Sequence, residues 1–559
     1  MRSRKLKCIL AMWMILLLLA STAACTAGTE TQGTVPEPAA TEAPAAQQPS
    51  DSPEPASGAD MSVLRVGISG DVDTVDPGKG SNTRATEAIV NLYDQLFTYG
   101  TEEGENGIKI GDTSVSVGSL VKDWSVDETG MVYTFTLRDD VFFSSGNQMT
   151  AKDVEYSFNR CLNYLGEGAP TFNMTVLCLE TVQVIDEFTF VMDLTDPSPY
   201  VLNVLTMSGC SIVDSAVFAE HATADDPWAT EWAAKNAAGS GPWVLKEWDA
   251  GVSLTFAANE NYWNYNVAYD TMVWSVIPDI SNQVMMIING ELDVIEAVPA
   301  SYLEQLSAAD VDIFSLSSEN VSYLWYCQDP GQGPLGDPAV RKAISLAIPY
   351  DDIINYVYYG SAQMPYSIFP VGMPAHTDAY WAYNTDLEGA KTALAATDYA
   401  SGFEFTLNIC NAFEHHKTIA ELIQNSLAQI GVTMHIQQLD NAAFNDAKET
   451  ADAYIADMLG WVNDPSYLMN YLFVAPSSAN ANAVNFRYHA EFNGLIENSQ
   501  FMTDLTQREA NYVRIQEILM EELPIVPLAQ VNYNLVTSPG MTGFTFYFDE
   551  LMRFGEFTK

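Results

Sequence analysis

Apolar and polar positions alternate over residues 63–68, 133–137, 253–257, 272–277, 403–409 and 432–438. That period of two predicts half-buried strands. Elsewhere the period lengthens to three and four. Ile89, Leu92, Tyr93, Leu96 and Phe97 share one helical face within 85–97, and the same spacing predicts helices over 151–160, 281–288, 338–348, 387–396, 416–430 and 508–522. Thr150 stands as the N-cap of the 151–160 helix, with Asp153 near its positive end. Val141-Phe142-Phe143 reads as a short strand ahead of a Ser145-Gly146-Asn147 turn. Strands alternating with helices, without a repeat of about 20–50 residues, predict an α/β protein with mixed sheets.

The first 24 residues follow another pattern. Arg2, Arg4, Lys5 and Lys7 precede an apolar run from Ile9 to Ala20, about 18 Å as a helix against a bilayer core of about 30 Å. It fits a signal-peptide h-region and is too short to span a membrane. Residues 26–60 hold Ala, Pro, Thr, Glu, Gln and Ser with almost no large apolar side chain. Such a stretch cannot offset its own ordering entropy and predicts a disordered tether.

The whole chain has a core-forming composition, 48% hydrophobic and 11% aromatic. Its 24 Lys and Arg against 72 Asp and Glu give a net charge of −48, which argues against nucleic-acid binding, since phosphate contacts need a basic face. The acidity is read first as solubility and second as attraction for cationic ligands. Cys161, Cys178, Cys210, Cys327 and Cys410 are odd in number and form no CxxC, so neither a zinc ribbon nor a thioredoxin-like site is expected.

Catalytic and cofactor motifs fail on context. Gly331 to Gly336 matches GxGxxG, but Asp329-Pro330 ends the preceding strand and Pro334 stiffens the loop. Ser119 to Lys122 matches SxxK without a KTG strand. Asp71, Asp73 and Asp76 begin like a calcium loop that Val75 and Asn82 spoil. His415-His416 suits an exposed helix start better than a metal, because adjacent helical residues point about 100° apart. No catalytic constellation, cofactor or metal site is expected.

Two resemblances supply the rest. Ala23-Ala24-Cys25 resembles the lipobox of bacterial lipoproteins, with Thr22 where Leu is usual. It implies cleavage before Cys25, lipidation of that thiol, and residence on the outer face of the cytoplasmic membrane; ordinary cleavage after Ala24 is the alternative. Leu120 to Trp124, Tyr133 to Arg138, Val141 to Gly146 and Thr150 to Val154 resemble the signature of family 5 extracellular solute-binding proteins. So do Gly239-Ser240-Gly241-Pro242-Trp243, Asn261-Tyr262-Trp263, Val340-Arg341-Lys342-Ala343-Ile344 and Leu523-Pro524-Ile525-Val526-Pro527-Leu528.

This family resemblance implies a two-lobed, type II periplasmic-binding fold with a hinged cleft. Residues 1–24 are the signal peptide and 25–61 the lipidated tether. Lobe I takes 62–97, 236–316 and 526–559, an inserted domain 98–235, and lobe II 317–525. It further implies a non-enzymatic, monomeric component of an ABC importer that captures short peptides and delivers them to a membrane permease and its ATPase. A nickel chelate, haem, opine or oligosaccharide is the alternative cargo, and a surface adhesin or hydrolase the alternative class. The implied ligand residues lie in lobe II: Asp464, Trp461 and Asn463, with Tyr323, Tyr326 and Cys327. The family's G-W-x-x-D-x-x-D-P is three residues shorter here. Counted from Trp461, Asp464 is the acid that meets the peptide's amino group; counted from Pro465, it is the structural second Asp. Arg138 and Asp153 are read as fixing strand–helix geometry, and Trp243 and Trp263 as interdomain packing.

Overall fold

The computed structural model describes residues 62–80, 82–104, 107–163, 178–326, 333–448, 450–459, 462–474 and 489–559. The leader, the tether with Cys25, Cys327 and Trp461 lie outside them.

The chain enters as β1 (Val63–Ile68), followed by α1 (Thr83–Leu92), whose N-cap Asn82 accepts from the Ala85 N–H at 2.7 Å. The helix expected to reach Phe97 stops at Leu92. Gly241 donates to the Leu92 carbonyl at 3.1 Å, where the next helical turn would bond. A Cβ at Gly239 would sit 2.2 Å from the same oxygen. Tyr93 is therefore extended, and Phe97 opens β2 (Phe97–Glu103), which pairs with β3 (Lys109–Gly118).

Strands β4 (Val121–Val126) and β5 (Val132–Leu137), helix α2 (Ala151–Asn163), and strands β6 (Leu179–Val184) and β7 (Thr189–Leu194) follow. The strands form a sheet in the order β4-β5-β7-β6. The expected strand at Val141-Phe142-Phe143 is reduced to one bridge, Phe142 to Gln148, because the turn brings Asn147 straight back to Phe143. Capping of α2 runs opposite to expectation. Asp153 Oδ2 accepts from the Thr150 N–H at 2.9 Å and hydroxyl at 3.0 Å, while its Oδ1 accepts from Ser215. Arg138 stacks over Trp263, 4.4 Å from the ring centre, so both charged side chains fix architecture as expected.

The main elements that follow are β8 (Trp243–Asp249), β9 (Ser253–Ala258), β10 (Thr271–Val276), α3 (Ile280–Ile288), β11 (Val294–Ile295) and β12 (Asp312–Tyr326), then α4 (Pro338–Ala347), β13 (Ala362–Gln363), α5 (Leu387–Ala395), β14 (Phe403–Cys410), α6 (Glu414–Ala428), β15 (Val432–Leu439), β16 (Ala453–Met458), α7 (Pro465–Met469), α8 (Leu505–Glu522), β17 (Ile525–Thr537) and β18 (Thr545–Phe546), with further helices between them. One sheet runs β15-β14-β16-β12-β17-β11-β1-β10-β9-β8, with β13 on β17.

The two long antiparallel strands β12 and β17 carry this sheet through both lobes. Residues 312–317 pair with 537–532 beside β11, and 321–325 with 530–525 beside β16. Between these ladders Ser318, Glu319 and Asn320 leave the register as a bulge, the usual device for bending a strand. Separate cores flank the joint. Trp243, Trp274, Phe554 and Phe557 fill one, Phe135, Phe158 and Phe190 a second, and Tyr326, Leu407 and Ile423 a third. Trp243 is buried in the first, while Trp263 packs from outside onto the second.

Candidate functional site

The bulge in β12 gathers the polar groups that the cores exclude. Gln530 on β17 fills the break: its amide NH₂ donates to the Ser318 carbonyl at 2.6 Å and the Val371 carbonyl at 3.0 Å, and its oxygen accepts from the Val371 N–H at 2.8 Å. This seats Gly372, left-handed at φ +103°, against the bulge, where a Cβ would lie 3.5 Å from Glu319 Oε1. Glu319 is thereby shut in at 6% exposure, and burial pushes its carboxyl up to about 8. Neither Glu319 Oε2 nor Asn320 Oδ1 meets a hydrogen-bond partner among the described residues. Glu550 accepts from the Ser318 hydroxyl on the other side, and burial lifts it to about 7.

Asn463 closes the junction from the loop before α7. Its NH₂ donates to the Gly372 carbonyl at 3.3 Å and to the Thr113 hydroxyl on β3, and its Oδ1 has no partner among the described residues. On the same loop Val462, with Tyr467 of α7, enters the core built on β4–β7. The Arg508 guanidinium lies 5.7 Å from the Tyr200 ring centre. These contacts tie the loop before α7, and Arg508 behind it, to the segment carrying β3 to β7. Glu319, Asn320 and Asn463 together offer a carboxyl and two amide oxygens, an acceptor-rich set suited to N–H donors and positive charge.

Of the two roles open to Asp464, the geometry fits the second. Arg508 grips both its oxygens, at 2.8 and 2.6 Å, and the Ser466 N–H adds a capping bond at 2.8 Å. With its charge already paired to Arg508 in a site only 7% exposed, the ligand-facing reading is corrected to a structural one. Tyr323 and Tyr326 are corrected likewise. Both are core residues at 1% and 0% exposure, and the Tyr323 hydroxyl donates to the Ile368 carbonyl at 2.7 Å. Of the expected ligand residues that can be placed, Asn463 bonds into the junction, and Tyr323 lies near enough to Glu319 to feel its charge. Glu319 escaped the sequence reading, although the polar run Ser317-Ser318-Glu319-Asn320 inside an otherwise apolar strand was a visible signal.

The rejected motifs also resolve. Asp76 pairs with buried Arg160 at 2.6 and 2.7 Å, Ser119 lies in the turn between β3 and β4, and Asp337 caps α4. One rejection is reversed in geometry. His415 and His416 turn inward from α6, and both Nε2 atoms reach Asp457 Oδ2 on β16, at 2.8 and 3.1 Å.

Residues 116–480 match the family model described as bacterial extracellular solute-binding proteins, family 5 middle. The chain belongs to this family. A curated relative, the probable D,D-dipeptide-binding periplasmic protein DdpA of Escherichia coli, is 28% identical over 491 residues, 87% of this chain and 91% of the relative. Heme-binding protein A of Haemophilus influenzae is 25% identical over 459 residues, 78% of this chain and 82% of the relative. Among solved structures, the ABC transporter-associated periplasmic binding protein DppA of Helicobacter pylori, in complex with the peptide STSA, superposes with a TM-score of 0.74 at 25% identity over 89% of this chain and 97% of its own. The likeness establishes the two-lobed family 5 fold. No helix among the described residues is long and apolar enough to cross a membrane.

Proposed function

We propose that this family 5 protein is the extracytoplasmic, lipid-anchored, monomeric binding component of an ABC importer, and that its cargo is a short peptide held by its α-ammonium group at the joint between the lobes. The observation that carries this reading is the acceptor-rich junction. Glu319 is a buried carboxyl with an oxygen unbonded by any described residue, and the amide oxygens of Asn320 and Asn463 are in the same state. A peptide ammonium supplies the missing donors and the missing charge together. The relatives named for dipeptides and the peptide-bound neighbour support the cargo class. Trp461 and Cys327 stay in the proposal as cleft residues by family resemblance. Cys25 supplies the anchor, and a permease with its ATPase receives the cargo. The named haem-binding relative makes a non-peptide solute the competing cargo.

Calorimetry with Ala-Ala and its N-acetylated form tests the reading. Loss of the ammonium should weaken binding by roughly 2–5 kcal/mol, since it removes a desolvated charge-assisted contact. Equal affinity for both, or recovery of a non-peptide solute by mass spectrometry of the purified protein, would refute it.

A further inference from the structure

The histidine pair on α6 takes no part in this junction. We propose that His415, His416 and Asp457 form a binding site for one divalent transition-metal ion of the zinc, nickel or cobalt class. One nitrogen from each imidazole and one carboxylate oxygen lie within 4.8 Å of one another. The two Nε2 atoms stand 2.8 and 3.1 Å from Asp457 Oδ2. Ligands around a tetrahedral ion with bonds of about 2.1 Å are spaced about 3.4 Å apart, so both carboxylate–imidazole spacings lie within about 0.6 Å of what the ion requires. Two imidazole nitrogens with a single carboxylate favour a borderline transition ion over calcium or magnesium, which prefer oxygen-rich sites.

A second feature points the same way. Ser322 on β12 donates its hydroxyl to Asp457 Oδ1 at 2.5 Å and shares a further hydrogen bond of 2.8 Å with the Tyr358 hydroxyl. The protein thus holds one carboxylate oxygen and turns the other towards both imidazoles, as outer-shell groups do for a ligating carboxylate. Access is one-sided. The His416 side chain is 1% exposed, His415 32% and Asp457 21%, and the Phe413 ring lies 5.0 Å from His416 and 5.9 Å from His415. The open side at His415 lets the ion enter and a water complete its shell. Adjacent helical positions converge here because they occupy the first turn of α6, directly facing β16. Ser322 and Asp457 are cross-strand partners, so the ion would tie α6 and β16 to β12 just beyond its bulge.

The test uses full-length mature protein, purified without a polyhistidine tag and stripped with chelator. Titration with Zn²⁺ by calorimetry should show one saturable equivalent that weakens at least tenfold in both His415→Ala and Asp457→Asn. Co²⁺ should give visible absorption bands that Zn²⁺ abolishes. His415→Ala alters a partly exposed side chain, so circular dichroism can verify its fold if Asp457→Asn proves unstable, and it then carries the test alone. Absence of saturable Zn²⁺ binding to the folded wild type, or unchanged affinity in folded His415→Ala, would overturn the site.

Discussion

Replacing Asp464 separates a structural acid from a ligand-binding one. Its carboxylate takes two hydrogen bonds from Arg508 and one from the first turn of α7, with the paired side chains only 9% and 10% exposed. Removing one member of such a pair typically costs about 3–5 kcal/mol, because the other charge stays buried without its partner. Arg508 keeps neutral acceptors at the Ser499 carbonyl, 3.1 Å, and the Ser466 hydroxyl, 3.0 Å. These place the loss for Asp464→Asn near the lower end, about 3 kcal/mol. Arg508→Met should lose a similar amount, and the double variant clearly less than the sum, since the two changes remove one interaction. Urea unfolding of the ligand-free protein, followed by tryptophan fluorescence, measures all four states. The preference for Ala-Ala over its N-acetylated form should survive in any variant that remains folded. An Asp464→Asn protein with wild-type urea resistance that no longer distinguishes the two peptides would refute the argument and return the carboxylate to the ligand.

Three further outcomes follow. Burial holds the Glu319 carboxyl at about 8 against an ordinary 4.5, so between those values the folded chain keeps a proton that the unfolded chain has lost. Ligand-free stability should fall as pH rises through that window, and Glu319→Gln should flatten the slope. Ammonium capture needs the ionised carboxylate, so Ala-Ala affinity should climb roughly tenfold per pH unit up to about 8 and then level off; a flat wild-type profile would count against Glu319 as the acceptor. The Asn463, Val462 and Tyr467 contacts should open when cargo is absent, so small-angle scattering should show a radius of gyration that shrinks on saturation with Ala-Ala, and an unchanged profile under demonstrated binding would contradict hinge motion. Cys25→Ser should move the protein from the membrane fraction to the soluble one, and retention on the membrane would rule out the lipid anchor.

Regular elements were legible wherever one face of a single element meets a core. The period-two and helical patterns placed β1, β9, β10, β14 and β15 and helices α3 to α5 within a residue or two of their observed ends. Failures arose where a distant segment intervened. The carbonyl of Leu92 is claimed by Gly241, and no local pattern reveals that competition. The same holds at the site. Asp464 carries identical local sequence in either role, and Arg508, 44 positions away, favours one of them. Glu319 acquires its character from Gln530 and Gly372, which only the crossing of β12 and β17 brings near.

Contacts between α1 and residues 552–554 govern when the fold can be completed. On α1, buried Glu87 accepts from the Met552 N–H at 3.0 Å, while Asn91 donates to the Met552 carbonyl and accepts from the Phe554 N–H, each at 2.8 Å. These partners stand more than 460 positions apart. Until residues 552–554 arrive, Glu87 keeps its ion pair with Arg84 and Asn91 its bond to the Glu87 carbonyl, but both lack their C-terminal partners, and β11 lacks its neighbour β17. Lobe I therefore cannot complete itself until those C-terminal segments have joined it. A chain whose first helix waits for residues 552–554 completes its fold only once both of its ends are present.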